Sequence, residues 1–346
     1  MFIVHCRPAR IHLFRTLVVT AIFVTLFPTI SSASINVSDS EDIVAAGTYV
    51  WVPNPSTHNI IKINAATGTV DGSISSNNSH FSSPSFVAID GNELWASDSY
   101  DDSVAEFNIR TGSQERVIYS TKYKFDGPGE VTIDGQMVLI INVQGSSITE
   151  LNKKSGKLIR VFSVAPSRGN KSGVYGPFAV TVSGNQGWLT YVAANNDAIE
   201  VIDLADGVVR HIAHGGKSVL NAPGAIVQCQ GNIWVASRDA NAIVEINRAS
   251  GRVVRVLKGN TYGFNQPTGL TSQEGHVWIT NEYGDSMTEI NGHSGAFVRL
   301  VENRRDSLLD PGAITSVGAR IWVESTSNGS VSEFNGSSGA LVEVLK

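Results

Sequence analysis

Residues 223–251 read PGAIVQCQGNIWVASRDANAIVEINRASG, and the same pattern recurs along the whole chain. A proline opens an apolar run, Gly224-Ala225-Ile226-Val227, and a tryptophan follows eleven residues later in Ile233-Trp234-Val235-Ala236. A third run, Ile243-Val244-Glu245-Ile246, ends in an Asn-x-x-Ser-Gly turn, and a fourth spans Arg252–Leu257. The runs are β-branched and aromatic and the separators are Gly, Asn, Asp and Ser, which reads as four short strands a, b, c and d. The turn residues have local reasons. Asn hydrogen-bonds its own backbone, and Gly accepts a positive φ. The proline suits the first position of a strand, where no ladder donor is lost.

Outward from this unit, Trp51, Trp95, Trp188, Trp234, Trp278 and Trp322 form a series, with Leu139 in the remaining place. Their spacings are 44, 44, 49, 46, 44 and 44 residues. Pro84, Pro128, Pro177, Pro223, Pro267 and Pro311 each precede the marker by eleven, and Ser40 stands there in the first copy. Self-similarity at such a period marks a repeat architecture. A lone four-stranded unit cannot cover both faces, whereas radial repetition packs each sheet on its neighbours. The fold expected is therefore an all-β, seven-bladed β-propeller with four antiparallel strands per blade. Counting from Val37 leaves no strand over, so closure is expected without a composite blade. The tryptophans are expected between blades.

The chain of 346 residues carries a net charge of −5. Arg7, Arg10 and Arg15 precede an apolar run, Thr16 to Ile30, and the small residues Ser31-Ser32-Ala33. Residues 1–33 thus read as a signal peptide, leaving 34–346 as one secreted, extracytoplasmic propeller domain with no membrane span after cleavage. Removing them takes away three basic residues and shifts the charge to −8. No basic block remains that would neutralise a phosphate backbone, which argues against nucleic acid. Cys6 leaves with the signal, so Cys229 is the one mature thiol, read as a buried structural residue. Asn36, Asn77, Asn170, Asn328 and Asn335 head Asn-x-Ser sequons. A monomer is expected.

Two insertions break the repeat, five residues between Gly156 and Pro177 and two between Trp188 and Gly207. They fall in a d–a and a b–c loop, which share one face of a propeller. Arg168, Lys171, Tyr175, Tyr191, Asn195 and Asn196 lie there, and Arg and Tyr are frequent interface anchors. Asp98 and Tyr100 in the blade 2 b–c loop, and Glu282 and Tyr283 in that of blade 6, share the face. Drift in tolerant surface loops is the plainer alternative.

Strand a is innermost, so residues just after the proline approach the channel mouth. Most copies carry small residues there, and Asp42, Phe86, Glu130 and Phe178 are the exceptions. Asp42 and Glu130 could offer two carboxylates to one hard cation such as Mg²⁺ or Ca²⁺, with Asp98 as a third ligand and Glu282 as a base. An unliganded, wet rim is the competing reading. His211-x-x-His214 has a metal-like spacing, but residues three apart on a strand face opposite ways.

The lead-ins Leu220-Asn221-Ala222-Pro223 and Phe264-Asn265-Gln266-Pro267, the Trp-Val strand and the Glu-Ile-Asn-x-x-Ser-Gly turn together resemble the NHL, YVTN and virginiamycin-lyase-like propeller repeats. The resemblance spans nearly all of the mature chain. It implies the propeller fold and leaves function open, since such propellers include metal-dependent lyases, lactonases, sensors and adhesion modules. The lyases imply a histidine and a glutamate-bound magnesium at the channel mouth, in repeats reading Trp-Phe-Thr-Glu. Trp278-Ile279-Thr280-Asn281-Glu282 and Trp322-Val323-Glu324 are the nearest matches, and no histidine stands in a strand a. The sequence therefore favours a secreted module that binds a protein, glycan or small molecule without catalysis and without a cofactor. The alternative is a metal-dependent lyase or lactonase acting at the d–a/b–c face.

Overall fold

In the fifth repeat the four expected strands form at Pro223–Cys229, Asn232–Ser237, Ala242–Asn247 and Val253–Leu257, paired antiparallel in sequence order. The computed structural model describes residues 35, 37, 40–164, 174–193, 197–213 and 219–346, and of 174, 175, 193 and 211–213 only the backbone. The expected signal peptide, Arg168, Lys171, Asn195, Asn196, His214 and the sequons at Asn36 and Asn170 lie outside the described residues.

Seven such sheets follow one another, each built from four consecutive strands, so no blade is shared between the chain's two ends. The a strands touch in a closed cycle, and that of blade 7 (Pro311–Val317) meets that of blade 1 (Val44–Ala46). Among the described residues no helix is long and apolar enough to cross a membrane.

The register shows why the tryptophan repeats. Trp234 lies opposite Val227 on strand a and Glu245 on strand c. Its ring is fully buried and packs with Val277, Ile279 and Ile290 of blade 6. Trp51, Trp95, Trp188, Trp278 and Trp322 likewise each join a cluster with the following blade, and Leu139 does so between blades 3 and 4. Burying these rings on both sides of every sheet is the main force closing the ring. Cys229 is buried in the same way, its Sγ 3.7 Å from the His276 carbonyl oxygen.

Two polar stitches, not foreseen from the sequence, join blade to blade. On the outer side, the strand c glutamates Glu106, Glu150, Glu245 and Glu289 are buried. They pair with Arg116, Arg160, Arg255 and Arg299 of strand d at 2.5–2.6 Å. The guanidiniums then donate to carbonyls in the next blade's c–d turn, as Arg116 does to Lys154 (3.1 Å) and Arg299 to Ser337 (2.9 Å). On the d–a/b–c face, Asp102, Asp197, Asn241 and Asp285 accept the N–H just before the next blade's proline, at 2.7–3.0 Å.

The closing seam lacks both devices. Gly329 stands where the loop Asp or Asn would be, and Glu343 stands opposite Glu333 where the arginine would be. Val37 covers the gap. It is fully buried against Trp322 and Val331, and its N–H donates to the Gly329 carbonyl at 3.0 Å.

Candidate functional site

Residues at the start of the a strands and, in blades 5, 6 and 7, the fourth residue after the marker tryptophan (Arg238, Glu282 and Thr326) converge on the axis. There they enclose a cavity of about 480 Å³ that opens on the d–a/b–c face. Glu41, Asp42, Phe86, Glu130, Phe178, Leu270, Arg238, Glu282 and Glu324 supply its chemistry, and small residues such as Ala225, Gly269 and Gly312 leave the space.

Asp42 and Glu130 thus line one cavity from blades 1 and 3. Asp42 Oδ1 accepts the Ile43 N–H and Oδ2 the Val87 N–H, both at 2.8 Å. Burial raises its pKa to about 6 against the pull of those two donors, and the Glu41 charge adds to the rise. Glu130 Oε2 accepts the Val180 N–H at 3.1 Å. Burial, then the Asp42 charge, raise the Glu130 pKa to about 8. Burial also lifts Glu41.

Glu324 lies two residues beyond Trp322. In other blades that position holds Thr190 or Thr280, whose hydroxyls accept an N–H from their own strand a and donate to the next blade's carbonyl. Glu324 is fully buried, and neither carboxylate oxygen has a hydrogen-bond partner among the described residues. Burial holds its pKa well above the ordinary value, and the Ala313 N–H pulls the other way without reaching hydrogen-bond geometry. A Cβ on Gly312 would come within 3.0 Å of Glu324 Oε2, so the missing side chain keeps this carboxylate next to the cavity.

Among the described residues Arg238 is the one cation lining the cavity. Glu282 neutralises it at 2.8 Å and also accepts the Thr268 hydroxyl at 3.0 Å. Phe178 is 49% exposed and offers a ring at the rim.

The other sequence candidates lie apart from this cavity. Asp98 is fully buried, and its two oxygens accept backbone N–H groups from Ser82, Ser83, Tyr100 and Asp101. That arrangement ties two loops of blade 2 together and uses the carboxylate up. Tyr191 was expected on the surface and is instead fully buried, packed with Leu139 and Leu189 between blades 3 and 4. Tyr191 stands three residues after Trp188, the place that ends strand b and is buried at Asn54, Asn142 and Ser237 in other blades; the insertions extend strands a and b of blade 4 beyond it, to Val174–Ser183 and Gln186–Ala193. Tyr175 is in that strand a, and its side chain is outside the described set. Tyr100 and Tyr283 are 84% and 61% exposed on b–c loops.

Asp42 and Glu130 share the cavity, and Asp98, expected as a third ligand beside them, does not line it. Of Asp42, Glu130 and Asp98, the first and last have both oxygens engaged by backbone N–H groups, and among the described residues no histidine lines the cavity. Among the described residues no three His, Cys, Asp or Glu side chains are grouped to hold an ion. His276 sits at the a–b turn, on the other face, 2.5 Å from Glu289. Arg238 was not singled out in the sequence, and Glu324 was noted only as a near match to the Trp-Phe-Thr-Glu repeat, without a place in the cavity. The signal was a repeat alignment by position, where Glu324 is the one carboxylate in the series Pro53, Ser97, Ile141, Thr190, Ala236, Thr280.

No protein-family model matches the chain. No curated protein matches it. Solved structures match over most of its length. A chain of Kuenenia stuttgartiensis hydrazine synthase is 16% identical, with a TM-score of 0.69, covering 90% of this chain and 98% of that one. Virginiamycin B lyase from Staphylococcus aureus is 16% identical, with a TM-score of 0.68, covering 86% and 96%. A chain of the mitotic checkpoint complex is 12% identical, with a TM-score of 0.67, covering 94% and 97%. The protein is a seven-bladed β-propeller with an acidic axial cavity. In fold it is virginiamycin-B-lyase-like.

Proposed function

We propose that the chain is a secreted binding module that takes a small molecule into its axial cavity and performs no chemistry on it. The observation that carries this reading is the cavity itself. Its size falls within the ordinary range for small-ligand sites, and it combines apolar walls with a few convergent polar groups. Secretion rests on the N-terminal sequence. A small molecule is preferred to a protein or glycan because the chemistry lies in a concave axial pocket. The likeness to virginiamycin B lyase supports the fold, and the carboxylates of the cavity support no metal set, so no catalytic step is assigned.

A thermal-shift screen of chemically varied small molecules tests the reading, with hits repeated on Phe178→Ala. The expected result is a set of hits whose affinity drops at least fivefold in the variant while its own Tm stays within a degree or two of the parent. Hits indifferent to both Phe178→Ala and Glu130→Gln would place binding elsewhere and overturn it.

A further inference from the structure

We infer that the axial cavity selects organic cations, a protonated amine carrying an apolar or aromatic group. The inference rests on the reading of that cavity as a ligand site and names the ligand's chemistry.

Five acidic side chains line the cavity, Glu41, Asp42, Glu130, Glu282 and Glu324, against the single Arg238. The Arg238–Glu282 ion pair is internally neutral. Four carboxyls therefore remain with no cation among the described residues that line the cavity. A buried charge ordinarily has a partner or is driven neutral. Among the described residues Glu324 has neither a counter-ion nor a hydrogen bond of good geometry in its fully buried place, and it lies against a cavity wide enough for a compact ligand. An ammonium group entering from the open face would supply the missing charge and the missing donors. Ligand cations and aromatic faces attract each other, and Phe86 and Phe178 present rings on the same wall. Leu270, Ile226 and Ile314 add apolar surface for the rest of the molecule.

A bare divalent ion suits the site less well. Asp42 spends both oxygens on backbone N–H groups, and rings and aliphatic side chains make up much of the remaining wall. Such ions want six or more oxygen ligands or retained waters. The raised pKa values of Asp42 and Glu130 agree with unpaired acids that ionise when a cation arrives, so binding at neutral pH should release protons.

The test is calorimetric titration of the mature protein with phenethylamine, phenethyl alcohol and 3-phenylpropionate, which share a ring and differ in charge. The expected outcome is phenethylamine binding at least tenfold tighter than the alcohol, with no binding of the acid. Its heat should vary with buffer ionisation in the sense of proton release, and Glu324→Gln should weaken it tenfold or more. Should Glu324→Gln fold poorly, Glu41→Gln at the exposed rim is the second variant, with at least a threefold loss expected. Equal or tighter binding of the alcohol or the acid overturns the cation selection and leaves the cavity reading standing. A rise in Tm with CaCl₂ that Glu324→Gln abolishes, without amine binding, overturns it in favour of a metal. No binding of any probe by the folded protein also overturns it, and the broader screen then decides the cavity reading separately.

Discussion

Asp42 and Glu130 reach one cavity from blades 1 and 3, and each is anchored by the blade that follows it. Asp42 takes the Val87 N–H of blade 2 at 2.8 Å, and Glu130 takes the Val180 N–H of blade 4 at 3.1 Å. The charge of Asp42 adds to the burial that raises Glu130 to about 8. The same groups thus lock adjacent blades and load the axis with acid.

Stability should therefore depend on pH in an unusual direction. A carboxyl raised in the folded state holds its proton over a range where the unfolded chain has lost it. The folded state then binds more protons, and stability falls as pH rises through that range. For Asp42 the range runs from its ordinary value of 3.8 to about 6, and for Glu130 from 4.5 to about 8. The Tm is expected to decline between pH 5 and 8, more shallowly in Glu130→Gln. Scanning calorimetry across that range checks both statements.

The Glu–Arg stitches predict a ranking. Glu150 has Arg160 beside it, whereas Glu289 keeps His276 at 2.5 Å if Arg299 is lost. Removing one partner of a buried pair is costly, because a charge stays behind in the core. Arg160→Ala should cost about 3 kcal/mol by this mechanism, and Arg299→Ala clearly less. Urea titrations of the two variants give the comparison.

The seam between blades 7 and 1 is expected to be the weakest joint. Glu343 faces Glu333 where four other blades have a strand d arginine, and Glu333 pairs instead with Arg320 of its neighbouring strand b at 2.7 Å, which does not reach the next blade's turn. The substitution Glu343→Arg restores that arrangement and should stabilise by about 1 kcal/mol, the scale of a net charge-assisted hydrogen bond. In the parent protein, amide exchange should be faster in blades 1 and 7 than in blades 5 and 6. Val37→Asp, which places a charge among Trp322 and Val331, should lower the Tm and widen that difference.

Tyr191 and Asp98 are expected to matter for folding and not for a surface partner. Truncating the buried Tyr191 ring to Ala should cost about 3 kcal/mol through cavity formation. Asp98→Ala strands the N–H groups of Ser83, Tyr100 and Asp101, while Ser82 keeps Asp101 Oδ2 at 3.1 Å, and should raise proteolysis at the two blade 2 loops. Limited proteolysis and equilibrium unfolding read these effects directly.

The fold was legible because its signals are local and repeated. The proline, the tryptophan and the Asn–Gly turn each have a physical reason within one blade, and seven copies make chance unlikely as a source. The convergence of Asp42, Phe86, Glu130 and Phe178 was legible too, since strand a is innermost by topology. Tyr191 was misplaced because it was counted with the insertion, whereas it stands at the buried end of strand b, three residues after its tryptophan, as Asn54, Asn142 and Ser237 do. Asp98 was read as available because sequence does not reveal that loop N–H groups occupy a carboxylate. Arg238 stayed hidden, and Glu324 was noted only as a near match to a repeat motif, because each is ordinary in its own strand and distinctive only across blades.

The most direct test of the central claim, that ligand enters the axial cavity, is NMR of selectively ¹³C-labelled Phe and Tyr rings. Phenethylamine, phenethyl alcohol and 3-phenylpropionate are titrated in turn. The account predicts saturable shifts at Phe86 and Phe178 with at least one probe, and unmoved signals from Tyr100 and Tyr283. Shifts confined to Tyr100 and Tyr283, with Phe86 and Phe178 unchanged throughout, would contradict it.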